Sequence, residues 1–193
     1  MGLTVLSDCP ILPQKANEAK MRKLAWLLAA FVTLGFPAYA EDAPPELPPI
    51  DGPDQWHVLT HDDATSTSKC IGDPKTPLCA VETVLACFLR HKDELCRIGS
   101  GDPNFPSIFQ TEIQPAESWR YWVAGVELVS ENNRGSFKRV RYLKPQLGDI
   151  AVRISDAPCY DNKCYKPVGP PTIYLVRRNG DKWMAADKAV PRW

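Results

Sequence analysis

The chain has 193 residues, 44% of them hydrophobic and 24% charged, with 23 Lys and Arg balanced by 23 Asp and Glu. A net charge of zero with no long like-charge run excludes a strongly basic nucleic-acid binder, and the apolar content excludes a disordered, solvating chain.

Residues 1–20 carry no clear pattern. At Met21 a second beginning follows: Arg22-Lys23, an apolar run from Leu24 to Leu34, then Gly35, Pro37 and Ala38-Tyr39-Ala40. A short basic region, an apolar stretch and a small-x-small site describe a secretory signal peptide, with translation starting at Met21 and cleavage after Ala40. The apolar run falls well short of the ~20 residues that span a bilayer. No cysteine follows the cleavage site to take a lipid, and Arg22-Lys23 is not a twin-arginine signal. A periplasmic or secreted protein with no membrane span after cleavage is expected.

Cleavage leaves about 153 residues, enough for one domain with a real core, and removes Cys9. Six cysteines remain, Cys70, Cys79, Cys87, Cys96, Cys159 and Cys164, and in an exported chain they read as three disulfides. A zinc site would need paired Cys-x₂₋₄-Cys; only Cys159 and Cys164 have that spacing, and no second pair matches it. Sequential pairing is the simplest connectivity, although the partners of the first four cysteines stay open. Residues 41–118 hold 5 basic and 14 acidic residues, residues 119–193 hold 14 and 7. The basic half reads either as a strand face wet by solvent or as a surface for an anionic partner.

Residues 41–53 form a proline-rich linker ahead of a single domain at 54–193. Trp56–His61 reads as a short strand with His57 and His61 on one face; without a third ligand beside them, a solvated edge is favoured over a metal site. The period then changes. From Pro77, residues Leu78, Val81, Val84, Leu85, Phe88 and Leu89 fall within one arc of about 140°, an amphipathic helix with Thr76 as N-cap and Pro77 in the first turn. Run straight to Ile98, this helix would hold Cys87 and Cys96 about 13.5 Å apart at ~1.5 Å per residue. A disulfide needs about 7 Å, so a break near Arg90-His91-Lys92 is expected, with Asp93 capping a short second helix.

Residues 99–118 read as an irregular connection with a helical turn at 106–110. Trp119–Val129 then alternates with period two, as a central strand; Asn132-Asn133-Arg134-Gly135 turns the chain, and Lys138–Lys144 returns as a strand ended by Pro145. Ile150–Ile154 is the next strand. Thr172–Arg177 and Lys182–Ala186 flank Asn179-Gly180, a strong hairpin signal. The expected fold is α+β: one or two N-terminal helices packed on a curved four- to five-stranded antiparallel sheet.

The order of helix, long antiparallel strands and a closing hairpin (Tyr174-Leu-Val-Arg-Arg-Asn-Gly-Asp-Lys-Trp183) resembles the NTF2-like, cystatin-like superfamily, as does the Leu89-Arg-His-Lys-Asp93 junction. The likeness covers about residues 76–190 and rests on shape and spacing. The signal peptide, the cysteine-bearing first helix and the Cys159–Cys164 loop are similar to small exported bacterial proteins of uncharacterised function. The resemblance implies a cone with a pocket between helix and sheet, a fold that hosts enzymes, binders and inert scaffolds alike.

Chemistry is sparsely signalled. His91 at the helix junction reads as a cap before a proton shuttle, and Asp149 and Glu127 are candidate carboxylates. No nucleophile elbow, phosphate loop, His-Glu-x-x-His or Cys-x-x-Cys is present. Trp119, Tyr121 and Trp122 form an aromatic cluster that either lines a pocket or packs in the core. The sequence therefore favours a non-catalytic protein, without cofactor or metal, that binds a small ligand or an envelope partner. The alternatives are an NTF2-like hydrolase or isomerase, and an interaction protein with a basic face of Arg139, Arg141, Arg153, Arg177 and Arg178.

Overall fold

The computed structural model describes residues 46–101, 116–161 and 163–191. The signal peptide expected at 21–40, the first part of the expected linker and the turn expected at 106–110 lie outside the described residues. Five strands follow one another in the sheet, and a sixth, short one pairs at its side. These are β1 (His57–Thr60), β2 (Ser118–Leu128), β3 (Ile150–Tyr160), β4 (Lys163–Cys164), β5 (Thr172–Asn179) and β6 (Lys182–Ala189). Their order is β1-β2-β3-β5-β6, every pair is antiparallel, and β4 folds back on the end of β3. Helices α1 (Pro77–Arg90) and α2 (Asp93–Ser100) follow β1, and a one-turn α3 (Arg134–Lys138) follows β2.

The fold is α+β with a curled antiparallel sheet, as expected, but β1 precedes the helices, so the described domain does not begin with them. The sheet is joined still earlier. Asp51 N–H donates to the Val123 carbonyl at 2.9 Å and its carboxylate accepts from Val123 N–H at 2.9 Å, extending the β1 edge by one more rung.

Helix α1 starts and stops where the sequence places its signals. The Thr76 hydroxyl accepts from Cys79 N–H at 3.2 Å, and Pro77 occupies the first turn. His91 ends the helix in the left-handed region at φ 51°, and α2 begins two residues later. Its N-cap is Lys92, with Asp93 just inside the first turn, where a carboxylate favours the positive helix end. This turn brings Cys87 and Cys96 to a Cα separation of 5.2 Å; Cys70 and Cys79 stand at 5.5 Å and Cys159 and Cys164 at 3.9 Å. All three sequential pairs are at disulfide distance. The first two clamp the loop before α1 and then α2 onto the helix; the third closes the β3–β4 hairpin.

Burial of α1 is wider than its stripe. Cys79, Glu82, Thr83 and Cys87, off the apolar arc, are as buried as Val81 and Leu85. The reason is that α2 and the 61–75 loop cover the helix from above. The side chain of Arg90, only 4% exposed, donates to the Thr60 carbonyl at 2.8 Å and the Ser66 hydroxyl at 3.2 Å, and pairs with Asp63. Beneath α1 the core contains Leu59, Tyr121, Val123, Ile150, Val152, Ile154, Tyr174, Val176 and Ala185. A second core of Val129, Phe137, Leu143, Ala151, Ile173, Leu175 and Ala189 lies on the opposite face. β3 and the first part of β5 are therefore covered on both sides, whereas β2, expected as the central strand, has one face only half covered.

The strand expected at Lys138–Lys144 is instead α3 and the turns after it. Asn133 fixes the exit from β2, its side-chain oxygen accepting from Ser130 N–H at 2.8 Å while its amide donates to the Leu128 carbonyl at 2.9 Å. Phe137, Val140 and Leu143 then recur every third residue, and all pack into the second core. That spacing is helical, and it outweighs the local alternation read from the sequence.

Helices α1 and α2 pack tightly at Gly99. A Cβ there would lie 2.8 Å from Val84 Cγ2, 3.1 Å from Val84 N and 3.2 Å from the Ala80 carbonyl. Two of these neighbours are backbone and cannot rotate away. Gly99→Ala should destabilise the fold by about 1–3 kcal/mol through overpacking, measured by denaturant titration of the oxidised protein.

Candidate functional site

The helix-facing side of the sheet is apolar apart from a band of ionisable groups. In chain order these are His57, Glu82, Tyr121, Asp156, Tyr174 and Lys188. Register places them: His57 pairs with Tyr121, Tyr121 with Asp156, and Tyr174 with Lys188, so each pair shares a face. Asp156 has the parity of Ile150, Val152 and Ile154, all beneath α1.

One end of the band is closed. Glu82 projects from α1 and accepts hydrogen bonds from the Tyr121 hydroxyl and, at 2.5 Å, from the Ser68 hydroxyl. Both partners are buried, Tyr121 completely. Burial raises the Glu82 carboxyl above its ordinary value, against the two hydrogen bonds that favour its charged form. Burial and, after it, the Glu82 charge push the Tyr121 hydroxyl strongly upwards, so it stays a donor. The His57 ring stacks on Tyr121 with centroids 5.1 Å apart, and its Nε2 bonds the Asp51 carboxylate at 2.8 Å. Cys70, Cys79 and Glu82 put three ligand-type atoms within 4.8 Å of one another. The two sulfurs are bonded to each other, and this trio holds the loop to the helix.

The other end holds one unmatched hydroxyl. Tyr174 is fully buried, and its hydroxyl is the one buried side-chain polar atom without a partner among the described residues. Beside it, Lys188 Nζ lies 5.2 Å from the Tyr174 ring centroid and 4.6 Å from that of Phe88 on α1. Desolvation between these rings lowers the Lys188 ammonium to about 8, opposed by the charge of Asp156. Asp156 is raised by its own burial, with Lys188 pulling the other way. Tyr174 is held well above its usual range by burial and then by Asp156. An ammonium, a carboxyl and a phenol thus face one region, each tuned towards its neutral form.

The aromatic trio read from the sequence does not converge. Trp119 and Tyr121 lie towards α1, whereas Trp122 lies on the opposite face, its ring 4.5 Å from Trp56, with Arg120 4.6 Å above the latter. Asp149, 1% exposed, takes a two-pronged bond from Arg177 at 2.7 and 2.8 Å and ties the 144–149 loop to β5. Glu127 is held by Arg153 at 3.1 Å and by Asn133 at 2.7 Å. His57 and His61 bond separate partners, the latter the Ala116 carbonyl at 3.0 Å. His91 is an exposed helix cap. Sequence reasoning passed over Glu82, Asp156 and Lys188. The signal for Asp156 was available, since it continues the Ile150, Val152, Ile154 alternation with a carboxylate.

No family model, curated protein or solved structure matches the chain.

Because Glu82 is raised when folded, its protonated form favours the native state. Its contribution is complete below the unfolded value of 4.5 and is lost as pH rises through the raised folded value. Asp156 acts in the same direction. Glu82→Gln, which keeps an acceptor for Tyr121 and cannot ionise, should flatten the fall in stability as pH rises above 4.5, followed by denaturant midpoints.

Proposed function

We propose that the protein works outside the cytoplasm as a binding protein that takes a small ligand on the helix-facing side of its sheet, at Tyr174, Lys188 and Asp156. The observation that carries this reading is the Tyr174 hydroxyl. A phenol buried completely with no hydrogen-bond partner costs about 1–3 kcal/mol, and native interiors rarely leave one so unless something supplies the partner. Three cysteine pairs at disulfide distance support an oxidising compartment, in keeping with the signal peptide expected at 21–40. Among the described residues no helix is long and apolar enough to cross a membrane. A helix laid across an antiparallel sheet that closes in the β5–β6 hairpin supports the NTF2-like resemblance, although β1 stands ahead of α1.

Less supports the basic-face alternative. Arg139 and Arg141 are not on a strand, while Arg153 and Arg177 are each neutralised by a carboxylate. A catalytic reading keeps one specific support, the Lys188 amine lowered to about 8, which suits a base or nucleophile near neutral pH.

Tyr174→Phe removes only the unsatisfied oxygen. It should leave the fold intact and raise its stability by about 1 kcal/mol, while abolishing the thermal shift given by any ligand that stabilises the parent protein. A ligand that stabilises both equally would sink the reading. Scanning calorimetry of the variant separates a binding group from a structural one, since loss of a structural contact would lower Tm.

A further inference from the structure

The segment between β2 and β3 forms a lobe on the sheet face opposite α1, and its two sides differ sharply. Phe137, Val140 and Leu143 recur every third residue and enter the second core. That spacing fixes what is left to point away: Lys138 and Arg139, then Arg141 and Tyr142, then Lys144, all of them exposed. Every outward position in this run is therefore basic or aromatic. Between Glu131 and Asp149 the sequence has no carboxylate, and three carboxylates that border the lobe are already engaged. Glu127 is held by Arg153 and Asn133, Asp149 by Arg177, and Asp187 by the Lys144 N–H. Among the described residues no ion pair joins Lys138, Arg139 or Arg141 to a carboxylate. Two large apolar side chains stand at the surface with these charges, Tyr142 at 65% exposed and Leu147 at 49%. Tyr142 has left-handed backbone at φ 75°, uncommon for a bulky residue, and the Arg141 guanidinium lies 4.7 Å over its ring.

We propose that this lobe docks the protein reversibly on an anionic lipid surface. A single acidic group is best recognised by a guanidinium held in place for it, as Arg177 is held on Asp149 by two bonds. Lys138, Arg139 and Arg141 are long, exposed and not held by any carboxylate. They suit a diffuse field of negative charge, which packed phosphate headgroups supply. The tyrosine fits the same surface. Its ring enters the boundary between headgroups and acyl chains while its hydroxyl stays in water. Leu147 adds apolar area with no polar group to desolvate. Charge thus draws the lobe to the surface, and Tyr142 and Leu147 hold it there. Docking uses the side of the sheet away from Tyr174, so it stands or falls independently of the ligand reading above.

Vesicle sedimentation of the oxidised protein tests this. Vesicles of phosphatidylglycerol and phosphatidylcholine in equal parts are compared with vesicles of phosphatidylcholine alone. All variants share the same N-terminal residues, so differences among them read the lobe. The parent protein should partition onto the anionic vesicles and leave them in concentrated salt, which screens the charges. Each Lys or Arg close to an anionic surface strengthens partitioning about fivefold, so Arg139→Gln with Arg141→Gln should weaken it about 25-fold. Lys163→Gln with Lys166→Gln removes the same charge from exposed positions in and after β4 and should change partitioning less than about twofold. Tyr142→Ala with Leu147→Ser, which keeps every charge, should weaken it about tenfold. Thermal melting of each variant checks that these exposed substitutions leave the fold intact. Equal binding of the parent protein to both kinds of vesicle overturns the proposal, as does an equal loss from the lobe pair and the β4 pair. If the arginine pair weakens binding, Tyr142→Ala with Leu147→Ser does not, and soluble poly-glutamate displaces the protein, the lobe is a docking site for an acidic macromolecule and the lipid proposal falls.

Discussion

A single carboxylate ties together the three parts of this domain. Glu82 leaves α1 at the edge of its apolar stripe and is clamped between a hydroxyl from the sheet, on Tyr121, and one from the covering loop, on Ser68. Helix, sheet and loop therefore meet here through directional bonds, as they do again at Arg90. Burying a carboxyl is costly unless its hydrogen bonds are met, and here two short donors meet them. What this arrangement adds is register: it fixes how far α1 is rotated and slid over the strands, which apolar packing alone leaves loosely specified.

Around that point the chain is layered on both sides of β3. Alternation along Ile150, Ala151 and Val152 sends one set of side chains beneath α1 and the other beneath α3 and the 139–149 segment. Arg177 and Asp149 pin that segment to β5, and Arg90 pins the 61–66 loop to the helix end. Both arginines act through several bonds to backbone or carboxylate, which is why a chain with few regular elements still has well-defined loops. The band of ionisable groups beneath α1 runs against this economy. Its closed half serves the fold, whereas at the other end the unmatched Tyr174 hydroxyl opposes stability, as functional sites commonly do.

Much of the architecture was legible because it was written in strong local signals. Thr76-Pro77, the 3.6-residue stripe, the Asn179-Gly180 turn and the cysteine spacing each correspond to one physical device, and each appears where its residues stand. The chain from Lys138 to Lys144 was misread because two periods compete there, and only the presence of a second core decides that Phe137, Val140 and Leu143 win. The site was barely legible. Glu82 sits about 20° outside the apolar arc, where a solvent-facing glutamate would also sit. Nothing local shows that the loop bearing Cys70 will fold over it. Lys188 lies past the recognisable hairpin, beyond a bulge in the β5–β6 pairing that resets which face it joins. Trp122 was grouped with Tyr121 by sequence adjacency, yet adjacent strand residues point to opposite faces.

The cysteine pairing has a consequence for how the molecule is made. Among the described residues the six cysteines pair in chain order, across separations of 9, 9 and 5 residues. As these segments emerge in order, the second thiol of each pair arrives before any cysteine of the following pair. Connectivity is thus dictated by order of arrival, and a chain threaded into an oxidising space would complete each cross-link in turn without reshuffling an earlier one.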